Sequence, residues 1–286
     1  MEGMSREVTG STKVAAVVGW PIEHSLSPTI HNAGFESTGL DWTYVALPVP
    51  PDRRDEVVSS CIALGIRALS VTMPYKTTLT SRVDRLDETS RRLGSLNTIS
   101  FDDRGSTTGH TTDGDGLVGS LLDDGVDITA RRILVVGTGG AGRSVIEAVA
   151  RSRPQKLLVA NRTAPDPGLI SSISFGVADV VSWPERSNVL GDIDIVINCT
   201  SIGMGDDPTM PMDTAKIGRH HTVVDLVYHP MRTAFMSASE AQGARVVGGL
   251  GMLVHQAALQ QRIWTGQMPD IEAMTRAALS ALGGRR

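Results

Sequence analysis

Short apolar runs alternate with amphipathic segments along nearly the whole chain. K-V-A-A-V-V from Lys13 to Val18, W-T-Y-V-A-L from Trp42 to Leu47, and Ala68 to Thr72 read as strands. So do Ile133 to Val136, Leu157 to Ala160, Ile193 to Ile197, Thr222 to Leu226 and Ala244 to Val247. Between them lie helical patterns. One starts near Pro28, and one around Arg53 to Leu64 buries Val57, Val58, Ile62 and Leu64. Another follows Lys76 to about Gly94, one carries Leu117, Leu121 and Leu122, and one from near Ala141 buries Val145, Ile146 and Val149. S-L-N-T-I-S adds a strand carrying Asn97, and two helices close the chain, at G-G-L-G-M-L-V-H-Q and I-E-A-M-T-R. A-P-D-P-G and G-D-D-P-T-M-P-M read as surface loops.

Strands alternating with helices indicate an α/β protein with parallel sheets. The region from Ile133 to Thr163 is the most specific: strand, glycine turn, helix, strand in about thirty residues, the layout of a dinucleotide-binding βαβ unit. Gly137, Thr138, Gly139, Gly140, Ala141 and Gly142 form the turn. Its glycines let the backbone approach a pyrophosphate, and the helix start offers N–H groups and a positive dipole end. The second strand runs into Asn161, Arg162 and Thr163. An NAD site would place an acid there for the ribose 2′-OH. Arg162 instead offers a planar, permanently charged fork to a 2′-phosphate, so the expected cofactor is NADP.

The chain has 286 residues, enough for two domains. A net charge of −4 argues against a nucleic-acid partner. Cys61 and Cys199 stand in apolar contexts and read as buried free thiols, and no metal-ligand cluster is visible. The first ten residues hold no apolar signal segment and no run is long enough to span a bilayer, so a cytoplasmic protein with no membrane partner is expected. Monomer and homodimer both remain open.

Candidate chemistry clusters just past strand ends, where α/β sheets bind ligands. Ser25 and Ser27, ahead of the helix at Pro28, serve either as helix caps or as donors to a polyol or carboxylate. Lys76 ends M-P-Y-K, and Asp113 ends the T-T-D that opens another helix.

Taken together, P-I-E-H-S-L-S-P-T-I-H-N, S-V-T-M-P-Y-K, G-S-L-N-T-I, T-T-D-G-D-G, G-T-G-G-A-G-R, N-R-T, N-C-T-S-I-G-M, D-L-V-Y-H-P and G-G-L-G-M-L-V-H-Q resemble, in this order, the shikimate dehydrogenases and their quinate/shikimate relatives. The resemblance implies two domains with a substrate cleft between them. Residues 1–112 with 248–286 would form an α/β substrate domain completed by C-terminal helices, and 113–247 a Rossmann-type NADP domain. It implies Lys76 and Asp113 as the catalytic pair, and leaves open whether Lys76 is a base or a charge-assisted donor. Ser25 and Ser27 would bind the substrate carboxylate with Tyr228 nearby; Thr72, Asn97, Asp113 and Gln256 would bind ring hydroxyls, and Ser70 and Lys76 would also bind substrate. Thr200, Leu226, Gly249 and Met252 would flank the nicotinamide. Glu88 matches either a cofactor position or a solvated helix face.

Two positions depart from the family pattern. Ser70 and Thr111 stand where the family commonly has Asn, and a hydroxyl has shorter reach and a single donor. The implied activity is NADP-dependent reduction of 3-dehydroshikimate to shikimate. Quinate or an amino-substituted shikimate is the alternative substrate, and a non-catalytic NADP-binding regulator the alternative of another class.

Overall fold

The computed structural model describes residues 7–284. The first six residues, part of the stretch read as lacking a signal segment, lie outside the described residues. The chain divides into two compact units, Met1–Thr112 with Ala257–Arg286, and Asp113–Gln256.

The first unit holds β1 (Lys13–Gly19), β2 (Trp42–Pro48), β3 (Ala68–Val71), β4 (Arg85–Leu86), β5 (Thr98–Phe101) and β6 (Thr107–His110), in the order β2-β1-β3-β5-β6-β4. β1 pairs in parallel with β2 and β3, whereas β5 runs antiparallel to both β3 and β6. The period-two alternation of β1 serves two cores. Ala16 and Val18 join Leu69, Leu79 and Ile99 on one face; Ala15 and Val17 join Phe35, Trp42 and Tyr44 on the other. Helix α1 (Ser27–Ser37) covers the second face and packs against α9 (Ile271–Gly283).

Several expectations need correction here. The segment from Arg53 is a 3-10 turn, Pro51–Glu56, leading into α2 (Val57–Ala63). It buries Val57, Val58 and Cys61, leaving Ile62 44% and Leu64 75% exposed. One short helix has only one inward stripe, and Ile62 and Leu64 fall off it. The expected long helix after Lys76 is a 3-10 turn at Thr78–Arg82, then β4, then α3 (Glu88–Leu93). Asp87 restarts the helix as an N-cap, accepting from Ser90 N–H, and Gly94 closes it in the left-handed region at φ 57°. Asn97 lies just ahead of β5 rather than within it, and T-T-G-H, which carries little apolar signal, forms β6.

The second unit contains α4 (Asp113–Asp123), β7 (Arg132–Val136), α5 (Gly140–Arg151), β8 (Lys156–Ala160), α6 (Pro167–Ile173), β9 (Ala178–Val181), β10 (Ile195–Asn198), β11 (Thr222–Asp225), α7 (Ala234–Ala241) and β12 (Arg245–Gly248). All its strands are parallel, in the order β12-β11-β10-β7-β8-β9. The order reverses between β7 and β10, the switch point at which doubly wound sheets bind dinucleotides. Helix α8 (Leu250–Thr265) begins in this unit and ends in the first, so the boundary falls inside it rather than at Val247–Gly248. Its opening turns lie on α4: a Cβ on Gly116 would come 2.7 Å from Gln256 Cβ, and one on Gly119 2.9 Å from His255 Nδ1. Elements α6, β9 and α7 had no counterpart in the sequence reading. The A-P-D-P-G stretch runs into α6, with Asp166 as its cap, and the second expected loop ends in buried Met212. No helix among the described residues is long and apolar enough to cross a membrane.

The strand starts of this sheet are tied by charge. Arg132 Nη2 lies 2.6 Å from Asp194 and its Nη1 2.8 Å from Asp192, which also receives Lys156 Nζ at 2.7 Å. Hydrogen bonds from Arg132 pull Asp194 down to about 2.

His31 of α1 is fully buried, stacked on Tyr44 with centroids 4.1 Å apart. Burial pushes its imidazole down to about 3 from 6.5, so the unfolded chain takes up that proton first. The stability this neutral ring contributes is complete above pH 6.5 and is lost as the pH falls toward 3. Urea titrations between pH 6.5 and 4.5 are expected to show the slope of stability on pH shallower by about 1.4 kcal/mol per pH unit in His31→Leu than in wild type. Equal slopes would contradict the burial account.

Candidate active site

In the second unit the turn after β7 is set by backbone proximity. Gly137 has φ 107°, a conformation that favours glycine, and a Cβ there would lie 2.9 Å from Thr200 Cγ2. Gly142, on the first turn of α5, would place a Cβ 2.2 Å from the Gly137 carbonyl oxygen. Gly139 caps α5 with no side-chain hydrogen bond, and a Cβ there would meet nothing within 4 Å. Open space therefore lies beside the helix start, where leading N–H groups and the dipole favour an anion. A pyrophosphate fits this donor set.

Asn161 braces the turn. Its Oδ1 accepts from Thr138 N–H at 3.2 Å and its Nδ2 donates to Thr163 O at 2.7 Å. Arg162 beside it is exposed and makes no ion pair among the described residues. With no carboxylate at positions 161–163, the guanidinium fits a 2′-phosphate.

A buried polar node joins the ends of β10 and β11. Asn198 Nδ2 donates to Asp225 Oδ1 at 2.9 Å, and Asn198 Oδ1 accepts from Thr200 N–H and Oγ1 at 3.1 and 2.7 Å. Asp225 also accepts from Val227 N–H at 3.1 Å and from Thr233 Oγ1 at 2.7 Å. Burial raises the Asp225 carboxyl above its ordinary value despite these donors. The loops carrying Thr200 and Leu226–Tyr228 are thus fixed to one carboxylate. Neither Asn198, Asp225 nor Thr233 was singled out from sequence; the available signal was a polar residue closing each of two apolar strands. Cys199, half-buried by residue, has its thiol pushed far up by burial, with Asp225 and Asp113 adding to the shift. Both carboxylates lie near it.

Tyr228, Gly249, Met231, Met236 and Leu250 line a cleft at the ends of β11 and β12. A Cβ on Gly249 would lie 2.1 Å from Leu226 O, so only glycine fits. Met252 and Gln256 are buried in α8, and Gln256 Nε2 donates to Leu253 O at 2.8 Å.

The first unit gathers its candidates at one end of its sheet. The loops after β1 and β3 interlock: Thr72 N–H donates to Val18 O at 3.0 Å and Trp20 N–H to Met73 O at 3.0 Å. Half-buried Lys76 is held by Leu96 N–H donating to its carbonyl at 2.8 Å, which brings the Asn97 segment alongside. Asn97 Nδ2 donates to Thr112 Oγ1 at 2.9 Å and its Oδ1 accepts from Thr112 N–H at 3.0 Å, fixing the residue before Asp113. Ser25 Oγ accepts from Ser27 N–H at 3.2 Å, while Leu26 holds the cap position of α1. Ser70 does not join this group: its hydroxyl donates to Gln260 inside the fold at 2.7 Å. Glu88 is a solvated helix residue paired with Arg92 at 2.7 Å.

One other chemistry-bearing chain is structural. His110 Nδ1 lies 3.2 Å from Asp87 Oδ2 and its Nε2 3.2 Å from Ser100 Oγ. Ser100 sits in β5 with β3 on one side and β6 on the other. The chain fastens the α3 cap to the sheet. Among the described residues no group of His, Cys, Asp and Glu could hold a metal ion.

Family models match most of the chain. The shikimate dehydrogenase substrate binding domain matches residues 17–99, shikimate / quinate 5-dehydrogenase residues 120–206, and the shikimate 5′-dehydrogenase C-terminal domain residues 249–279. The NADP(+) shikimate dehydrogenase of Methanosphaera stadtmanae is 34% identical over 284 residues, covering 97% of this chain and 100% of that one. A crystal structure of a shikimate dehydrogenase with NADP+ superposes at TM-score 0.89, with 30% identity over 98% of this chain and 99% of that one. The Thermus thermophilus shikimate 5-dehydrogenase with NADP(H) and shikimate gives 0.85, with 31% identity over 94% of this chain and 100% of that one.

The glycines make a direct test of the turn. Gly142→Ala forces α5 away from the Gly137 carbonyl and is expected to lower the melting temperature by several degrees, about 2 kcal/mol or more. Gly139→Ala meets no atom, keeps an extended backbone, and is expected to melt within a degree or so of wild type. Calorimetry of both variants checks this; equal melting shifts would contradict the packing account.

Proposed function

This chain belongs to the shikimate dehydrogenase family, and on that premise we propose that it catalyses the NADP-dependent, reversible reduction of 3-dehydroshikimate to shikimate. The observation that carries the reading is the strand-end cluster of the first unit. Thr72, Lys76 and Asn97 come together there, and Thr112, locked to Asn97, precedes Asp113 directly. In this reading the first unit binds substrate and the second binds cofactor.

Oxidising a secondary alcohol removes a hydride from carbon and a proton from oxygen. Bound NADP+ supplies the hydride acceptor. Lys76, with Asp113, handles the hydroxyl proton or holds the oxygen through a charge-assisted hydrogen bond. Thr72, Asn97, Asp113 and Gln256 bind ring hydroxyls; Ser25 and Ser27 bind the carboxylate, with Tyr228 nearby. Ser70 is a supporting residue in this scheme, since its hydroxyl already serves Gln260.

The Gly137–Gly142 turn takes the pyrophosphate and Arg162 the 2′-phosphate. Asn161 contributes by holding the turn, its carboxamide being engaged on both sides. Thr200, Leu226, Gly249 and Met252 shape the nicotinamide side. The reading carries with it a cytoplasmic enzyme acting as a monomer or a homodimer; light scattering on the purified protein decides between the two.

Two substitutions test the assignments. Lys76→Ala is expected to lower kcat with shikimate by about 100-fold or more while the protein still binds NADP+. Arg162→Ala is expected to raise the KM for NADP+ by about tenfold or more and leave that for NAD+ within about twofold, since only NADP carries the 2′-phosphate. Steady-state kinetics would sink the first assignment if hydride transfer survived nearly undiminished, and the second if both cofactors weakened alike.

A further inference from the structure

Gln260 lies on α8, only 1% exposed, and no ligand role is assigned to it above. Its carboxamide is used at both ends. Nε2 donates to the main-chain carbonyl of Asn97 at 3.0 Å, and Oε1 accepts from Ser70 Oγ at 2.7 Å. The orientation of the amide follows from chemistry: a carbonyl only accepts, so nitrogen must face Asn97, and the Ser70 hydroxyl is free to donate to the oxygen. Ser70 and Asn97 are themselves 6% and 2% exposed. Loss of the amide would therefore take one partner from a buried hydroxyl and one from a buried carbonyl.

Asn97 is placed from several directions. Its N–H donates to His110 O at 2.9 Å, and its carbonyl accepts from Val71 N–H at 2.7 Å as well as from Gln260. Its side chain holds the N–H and hydroxyl of Thr112. The backbone bonds belong to neighbouring strands and fix Asn97 in the plane of the sheet. Gln260 is the side-chain bond that ties its carbonyl to α8. Through Ser70 the same amide reaches the centre of β3, the strand that leads to Thr72 and Lys76.

We infer that Gln260 is a positioning residue for substrate recognition: it fixes the Asn97 peptide, and with it the Asn97 side chain and Thr112, in the geometry that receives a substrate hydroxyl. The inference rests on the shikimate reading above. It gives Ser70 a purpose that its place in the sequence did not reveal, as the donor that satisfies the Gln260 amide oxygen once the Asn97 carbonyl has set the orientation of that amide. A small hydroxyl serves at position 70 because its partner is a protein group within 2.7 Å rather than a substrate.

The test is a kinetic double-mutant cycle on the full chain. Gln260→Met keeps an unbranched side chain of similar size and removes both hydrogen bonds. It is expected to raise the KM for shikimate about tenfold and leave the KM for NADP+ within about twofold. On an Asn97→Ala background the same change is expected to add less than about twofold, because the group it positions is gone. A residue that only packs would lower the melting temperature and the active fraction without moving the shikimate KM. Should Gln260→Met fail to fold, Ser70→Ala removes a single oxygen and is expected to raise the shikimate KM about two- to threefold. An unchanged shikimate KM in the folded variant, or an equal increase with and without Asn97, overturns the inference while wild type turns over shikimate. A wild type inert toward shikimate overturns the functional reading and this inference with it.

Discussion

The carbonyl of Gly137 and the start of α5 occupy nearly the same space. A helix can begin there only if residue 142 has no side chain, because a Cβ would stand 2.2 Å from that oxygen. The contact sets the height at which α5 leaves the sheet and so aims its N-terminus at the open space beside Gly139. The same closeness recurs around it: Gly137 against Thr200 and Cys199, and Gly249 against Leu226. The cofactor end of the second unit is thus a layer of backbone packed on backbone, with little side-chain bulk where a dinucleotide must lie.

What holds such bare loops in place is buried polar bonding at the strand ends. In the second unit, Asn198 and Asp225 divide the task, one gripping Thr200 and the other Val227 and Thr233. In the first, Asn97 grips Thr112 and is gripped by Gln260. Apolar strands supply the burial that stabilises each sheet, but they do not specify where a loop goes after the strand stops. Satisfied polar groups in a low-dielectric interior do, because each carries a high penalty if its partner moves. Asp225 is the sharpest case, a carboxyl raised by burial and held by three donors.

The parts of the fold legible in the sequence are those set by local pattern. The apolar runs at Lys13, Trp42, Ile133, Leu157 and Thr222 all correspond to strands, and the glycine turn stands where its spacing indicated. The illegible parts depend on distant partners. β6 is threonine and glycine, and is a strand because β5 lies beside it. Ile62 and Leu64 look like core, yet α2 is too short to turn them inward. Ser70 illustrates the limit for the site. The sequence marked it as an altered substrate contact, and only the position of Gln260, far along the chain, shows where its hydroxyl goes. The expectation at Arg162 rests on local physics alone, a missing acid and a present guanidinium at the end of β8.

The most direct test of the account is the initial rate of purified protein with shikimate and with quinate, each against NADP+ and NAD+, followed by absorbance of the reduced nicotinamide. Fast turnover confined to shikimate with NADP+ is the predicted result. Faster turnover with quinate, or a preference for NAD+, would contradict it.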